Sequence, residues 1–129
     1  MYVKKIMKEL LIDLTITAII ILCLDFLYLY FVTDVFKVMI RNIQNKELSV
    51  NLYGAIIAYI ILTLVLYFLI LRDKQPVWKA ALLGFAIYGV YDATNFATIS
   101  GWDYKFAIID TLWGITCFSL ATIIFYYIR

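Results

Sequence analysis

The chain has 129 residues, of which 66% are hydrophobic, 18% aromatic and only 16% charged, and its mean hydropathy is +0.96. A soluble domain of this length is nearer half apolar with about a quarter of its residues charged, so the composition points to one membrane domain instead. The net charge of +2 is too small to suggest a nucleic-acid partner; with no histidine, and only Cys23 and Cys117 at no metal-site spacing, a zinc or redox motif has no support and no cofactor is expected.

The first apolar run covers residues 10–32 and follows Lys4, Lys5 and Lys8, as a secretory signal would. It is too long for one, lacks a small-residue cleavage site and contains Asp25, so it reads as a retained helix. Residues 33–50 carry Lys37, Arg41 and Lys46 beside Val35, Phe36, Met39, Ile40 and Ile43. That spacing suits a short helix lying in the membrane interface after span one. The second run, 51–71, has no ionisable side chain beyond Tyr53, Tyr59 and Tyr67, and its small pair Gly54 and Ala58 marks it as a packing helix. A tight turn at 72–76 places the only proline, Pro76, at the start of the third run, 77–97. A second turn around 100–103 leads into the fourth, 105–128. Each run is long enough to cross a hydrocarbon layer of about 30 Å at about 1.5 Å per residue. The expectation is an all-α integral membrane four-helix bundle with antiparallel up-down connectivity, its natural partner the lipid bilayer. Trp78, Trp102, Tyr126 and Tyr127 near the span ends fit interfacial aromatics, and Cys23 and Cys117 fit small packing residues.

Basic residues orient the bundle. With the amino terminus inside, that side holds Lys4, Lys5, Lys8, Arg72, Lys74, Lys79 and Arg129, against Lys37, Arg41, Lys46 and Lys105 outside. Seven against four places both termini in the cytoplasm.

Three acids demand a reason, because a carboxylate at a helix centre costs about 2.5–3.5 kcal/mol on insertion scales. Asp25 lies late in span one, Asp92 late in span three and Asp110 early in span four, so the topology alone puts all three in the outer half of the bilayer. Helical spacing adds Tyr28 to the face of Asp25. It lines up Ala81, Gly84, Tyr88, Asp92 and Asn95 in span three, and Asp110, Gly114, Cys117 and Ala121 in span four, with Trp113 beside Asp110. No Lys, Arg or His shares that depth, the nearest being Lys105. Clustered carboxylates in a low dielectric cannot all stay ionised. The candidate ligand- or ion-binding residues are therefore Asp25, Tyr28, Tyr88, Asp92, Asn95, Asp110 and Trp113. The acids would share protons, accept hydrogen bonds from Tyr28, Tyr88 and Asn95, or hold a cation of unspecified identity through oxygen.

The run Tyr91-Asp92-Ala93-Thr94-Asn95, the turn Gly101-Trp102 and the run Asp110-Thr111-Leu112-Trp113-Gly114 resemble the small four-span membrane family known as domain of unknown function 2177. That family shows a Tyr-Asp-x-Thr-Asn motif late in span three, a Gly-Trp turn and an Asp-x-x-Trp-Gly motif opening span four. Its Leu-Asp-x-x-Trp-Leu motif in span one is matched by Leu24, Asp25 and Leu29, with Tyr28 in place of the tryptophan. The resemblance covers essentially the whole chain. It implies four spans and membrane residence, and no established activity.

Three functions remain open on these residues. The first is binding or passage of a proton, a cation or a small polar ligand at the carboxylate cluster. Four helices make a narrow path, so a homo-oligomer or a partner membrane protein would complete it. The second is a membrane-embedded enzyme acting on a lipid-like substrate with acids of divided roles, although no nucleophile motif or phosphate-binding loop is present and no catalytic residue is assigned. The third is a non-catalytic accessory subunit whose polar groups fix helix register, each interhelical bond contributing roughly 0.6–2 kcal/mol.

Overall fold

The computed structural model describes residues 1–129 and is built from four helices: α1 (Tyr2–Gln44), α2 (Leu52–Leu66), α3 (Val77–Thr98) and α4 (Tyr104–Ile128). No glycine or proline interrupts the sequence between Tyr2 and Gln44, so α1 runs unbroken for 43 residues, about 65 Å. The segment expected as a separate interfacial helix is thus the last part of α1. It ends where Asn45 adopts the left-handed conformation (φ 57°) and its N–H closes on the Arg41 carbonyl at 2.9 Å. Asn51 caps α2 by accepting from Tyr53 N at 2.9 Å and Gly54 N at 3.3 Å. Past Leu66 the helix widens into one π-helical turn, Tyr67–Leu71, closed by Arg72 N on the Tyr67 carbonyl at 2.8 Å. Asp103 caps α4 through Lys105 N at 2.8 Å.

Interhelical pairs fix the directions. Asp13 meets Tyr67 and Asp25 meets Tyr59, so α2 returns antiparallel to α1. Asp25 meets Trp113 and Asp13 meets Arg129, so α4 is antiparallel to α1 as well. α4 is the central element, packing along both α3 and α1, while α2 packs on α1. The closest approach is between α3 and α4. A methyl group added at Gly84 would lie 2.2 Å from the Gly114 carbonyl oxygen, and one at Gly114 would lie 2.3 Å from Tyr88 Cγ. Only glycine permits that distance.

The main core gathers Ile21, Leu66, Leu71, Cys117 and Phe118. A smaller one joins Met39 of α1 to Trp102 and Phe106 across the α3–α4 turn. Only 21 of the 129 residues are buried, and large apolar side chains such as Phe26, Ile56, Phe85 and Ile109 are exposed along the helices, as a lipid-facing surface requires. α1, residues Leu52–Leu71 and α4 are each long and apolar enough to cross a membrane. α3 is long enough too, with 22 residues, but Lys79, Asp92 and Asn95 dilute its apolar character.

Three packing expectations are corrected. Gly54 has no atom within 4 Å of the place a methyl would occupy and Ala58 is exposed, so α2 does not pack through its small pair. Cys117 is buried but Cys23 is exposed. Trp102, expected as an interfacial ring, is buried, with Tyr91 and Phe106 both edge-on at 5.9 Å.

Candidate functional site

The α3–α4 turn brings Asp92 and Asp110 to one level. Each is six residues from the helix end at that turn, Thr98 for Asp92 and Tyr104 for Asp110, or about 9 Å along the axis. α1 crosses this level at Tyr28, whose hydroxyl donates to Asp110 Oδ1 at 2.8 Å. One turn deeper, Asp25 accepts from Trp113 Nε1 at 3.1 Å on one oxygen and from the Tyr59 hydroxyl on the other. The Tyr28 and Trp113 rings stack between the two groups, with centroids 4.8 Å apart and planes within 2°. One donor pair therefore orients two acids, and the stack holds the donors in register.

Asp92 differs from both. It is 1% exposed, and neither carboxyl oxygen has a hydrogen-bond partner. The Trp102 indole N–H, buried at 6% exposure, is unpartnered too. Asp110 and Trp102 are the polar groups facing Asp92. A carboxylate oxygen only accepts, so Asp92 and Asp110 cannot bond to each other without a proton or another donor between them. No basic side chain bonds to Asp25, Asp92 or Asp110.

The seven residues singled out from the sequence divide accordingly. Asp25, Tyr28, Asp110 and Trp113 form one bonded and stacked assembly, with Asp92 beside it. Tyr88 is used for packing: its ring covers Gly114 and meets Phe118 edge-on at 6.3 Å. Asn95 is half-buried, one turn past Asp92, and its side chain bonds to none of the acids. The acids do not close into a set of three that would hold a metal ion.

Sequence reasoning missed Tyr59 and the position of Trp102 against Asp92. It also missed a second cluster, at the end of the bundle that carries the termini. There Arg129 pairs with Glu9 and, through Nε at 2.8 Å, with Asp13, whose other oxygen accepts from Tyr67 at 2.9 Å. Tyr126 donates to the Gln75 carbonyl at 2.6 Å. These bonds tie α1, the π turn and α4 together.

The sequence profile of the family described as "Predicted membrane protein (DUF2177)" matches residues 10–127. The chain belongs to this family. The match spans every residue of the polar assembly, the whole of α2 and α3, and all but the outer ends of α1 and α4. No curated protein and no solved structure matches the chain.

Proposed function

We propose that this DUF2177 protein is a four-span bundle with both termini in the cytoplasm, and that its paired carboxyls bind, or pass, a proton or a small cationic ligand. The observation that carries this reading is Asp92, enclosed beside Asp110 with both oxygens unpartnered. Burying an unpaired carboxylate is among the largest penalties a bilayer protein can carry. One proton or cationic group between Asp92 and Asp110 removes it, by turning two acceptors into a bonded pair. Tyr28 fixes Asp110 from α1, so the pair has one anchored member and one free one. The excess of Lys and Arg on the terminal side supports an inside orientation for both ends, which puts the pair in the outer half of the bilayer.

The test is flux through liposomes holding the purified protein, scanned over protons and common cations, with infrared spectra of the same samples across pH. Proton or cation flux should fall to background in Asp92→Asn and Asp110→Asn. The carbonyl band of a protonated carboxylic acid should be present in the wild type and absent from Asp92→Asn. No flux in the wild type would end the reading as a self-sufficient conductor. No carboxylic acid band sensitive to Asp92 would end the reading as a proton site.

A further inference from the structure

We infer that a recess at the end of the bundle that carries the termini binds the phosphate group of an anionic lipid. This site stands apart from the carboxyl pair and does not depend on it. α1, the π turn and α4 enclose a volume of about 380 Å³, within the range of small-molecule sites. Three cations line it, Arg72, Lys74 and Arg129, against one acid, Asp13, and Leu71 and Phe125 give it an apolar wall. The recess lies where the apolar runs 51–71 and 105–128 end, the level at which a bilayer presents its phosphates.

The acids nearby leave two of the cations for a ligand. Asp13 is saturated within the fold, since Arg129 Nε donates to one oxygen at 2.8 Å and the Tyr67 hydroxyl to the other at 2.9 Å. Glu9 takes a second nitrogen of Arg129, so Arg129 is a neutralised strut and the charge on offer is that of Arg72 and Lys74. Arg72 meets only Asp73, at 3.5 Å between side chains more than half exposed, a weak contact that a phosphate replaces. Lys74 has no ion pair. The backbone aims both charges. The π turn closes with Arg72 N on the carbonyl of Tyr67, five residues back, which stacks Arg72 over Tyr67. In an α-helix the two would lie about 140° apart round the axis. Lys74 takes the left-handed conformation, φ 50°, where glycine or asparagine is the ordinary choice. The turn gains nothing from a lysine there, whereas the recess gains a charge. A planar guanidinium beside an ammonium suits phosphate oxygens, and an anionic lipid keeps the negative charge that a zwitterionic one cancels with its own amine.

The experiment is native mass spectrometry of the full chain released from detergent micelles, titrated with phosphatidylglycerol or with phosphatidylcholine of the same acyl chains, and with inorganic phosphate as competitor. Phosphatidylglycerol should bind about tenfold more tightly than phosphatidylcholine, the scale that two basic side chains at a membrane surface supply. Arg72→Gln and Lys74→Asn made together should abolish that preference. Both side chains are exposed and asparagine suits the left-handed backbone, so the fold is kept. Lys37→Gln with Lys105→Gln removes the same charge at the other end of the bundle and should leave the preference intact, as should Lys74→Arg. An unchanged preference in the Arg72 and Lys74 double variant, or an equal loss in the Lys37 and Lys105 control, would overturn the inference. Displacement of the lipid by inorganic phosphate at equal concentration would overturn the lipid as ligand and assign the recess to a free phosphate.

Discussion

Replacing Gly84 by alanine tests the α3–α4 contact on which the acid pair depends. The added methyl would start 2.2 Å from the Gly114 carbonyl oxygen, 2.8 Å from its carbon and 3.1 Å from Phe118 Cβ. Two of these three atoms are backbone, so no side-chain rotation relieves the clash. A carbon–oxygen contact settles at about 3.3–3.6 Å, so the helices must part by about 1 Å at this level. Overpacking of this kind costs about 1–3 kcal/mol, a fivefold to 150-fold loss in the folded-to-unfolded ratio. The matched control is Gly54→Ala, where nothing lies within 4 Å and the change adds only helix propensity, up to about 1 kcal/mol in favour of folding. Reversible unfolding in mixed sodium dodecyl sulfate and dodecylmaltoside micelles, followed by circular dichroism, measures both. Opposite signs are expected. A Gly84→Ala variant within about 0.5 kcal/mol of wild type would refute the close approach, because additivity errors alone are that large.

Other outcomes follow from the same geometry. At a pH high enough for the Asp92–Asp110 pair to have lost its proton, Asp92→Asn should be more stable than wild type by about 1–3 kcal/mol in that unfolding assay, because an amide donates to Asp110 where a carboxylate cannot. The gain should vanish at lower pH, where the protonated acid donates as well; a clear loss at high pH would mean that Asp92 is held by bonds the structure does not contain. Tyr59→Phe and Trp113→Phe each remove one donor to Asp25 and should cost roughly 0.6–2 kcal/mol, and the double variant should depart from the sum, since both act on one carboxylate. Arg129→Gln should lower the thermal midpoint at low salt, by undoing the pairs with Glu9 and Asp13, and the difference from wild type should shrink in about 1 M salt, where screening acts within about 3 Å. An unchanged difference at high salt would assign the effect to packing.

The sequence made the level of the three acids readable because topology fixes depth: alternate spans run in opposite directions, so a position late in one meets a position early in the next. It could not make rotation readable. Every face of α2 is apolar, and no periodic signal says that Tyr59 rather than Gly54 and Ala58 faces α1. The cluster of Glu9, Asp13 and Arg129 was hidden for the opposite reason, since charges at span ends are ordinary and carry no distinguishing mark. The unbroken α1 had a usable signal, the absence of glycine and proline through Gln44. The change of composition after residue 32 masked it, because composition records where a helix leaves the apolar layer and not where it stops. Trp102 sits where aromatic residues commonly meet the interface. What buries it is α1 reaching over the turn with Met39, a consequence of that same helix length.

The three acids differ in how far the fold has provided for them, and on the proposed reading that order separates scaffold from working group. Asp25 has a donor on each oxygen, Asp110 has one donor on one oxygen, and Asp92 has none. An asparagine would supply interhelical bonds at lower insertion cost, so a pure glue role explains none of the acids well and explains Asp92 least. Asp25, fully bonded, holds Trp113, Trp113 stacks on Tyr28, and Tyr28 fixes Asp110. The chain of contacts ends at the one carboxyl left free. On the proposed reading the assembly is a device for presenting Asp92 to a charge that arrives from outside the fold. The penalty of its unpaired state is then relieved only when that charge is bound, which makes occupancy and stability rise together.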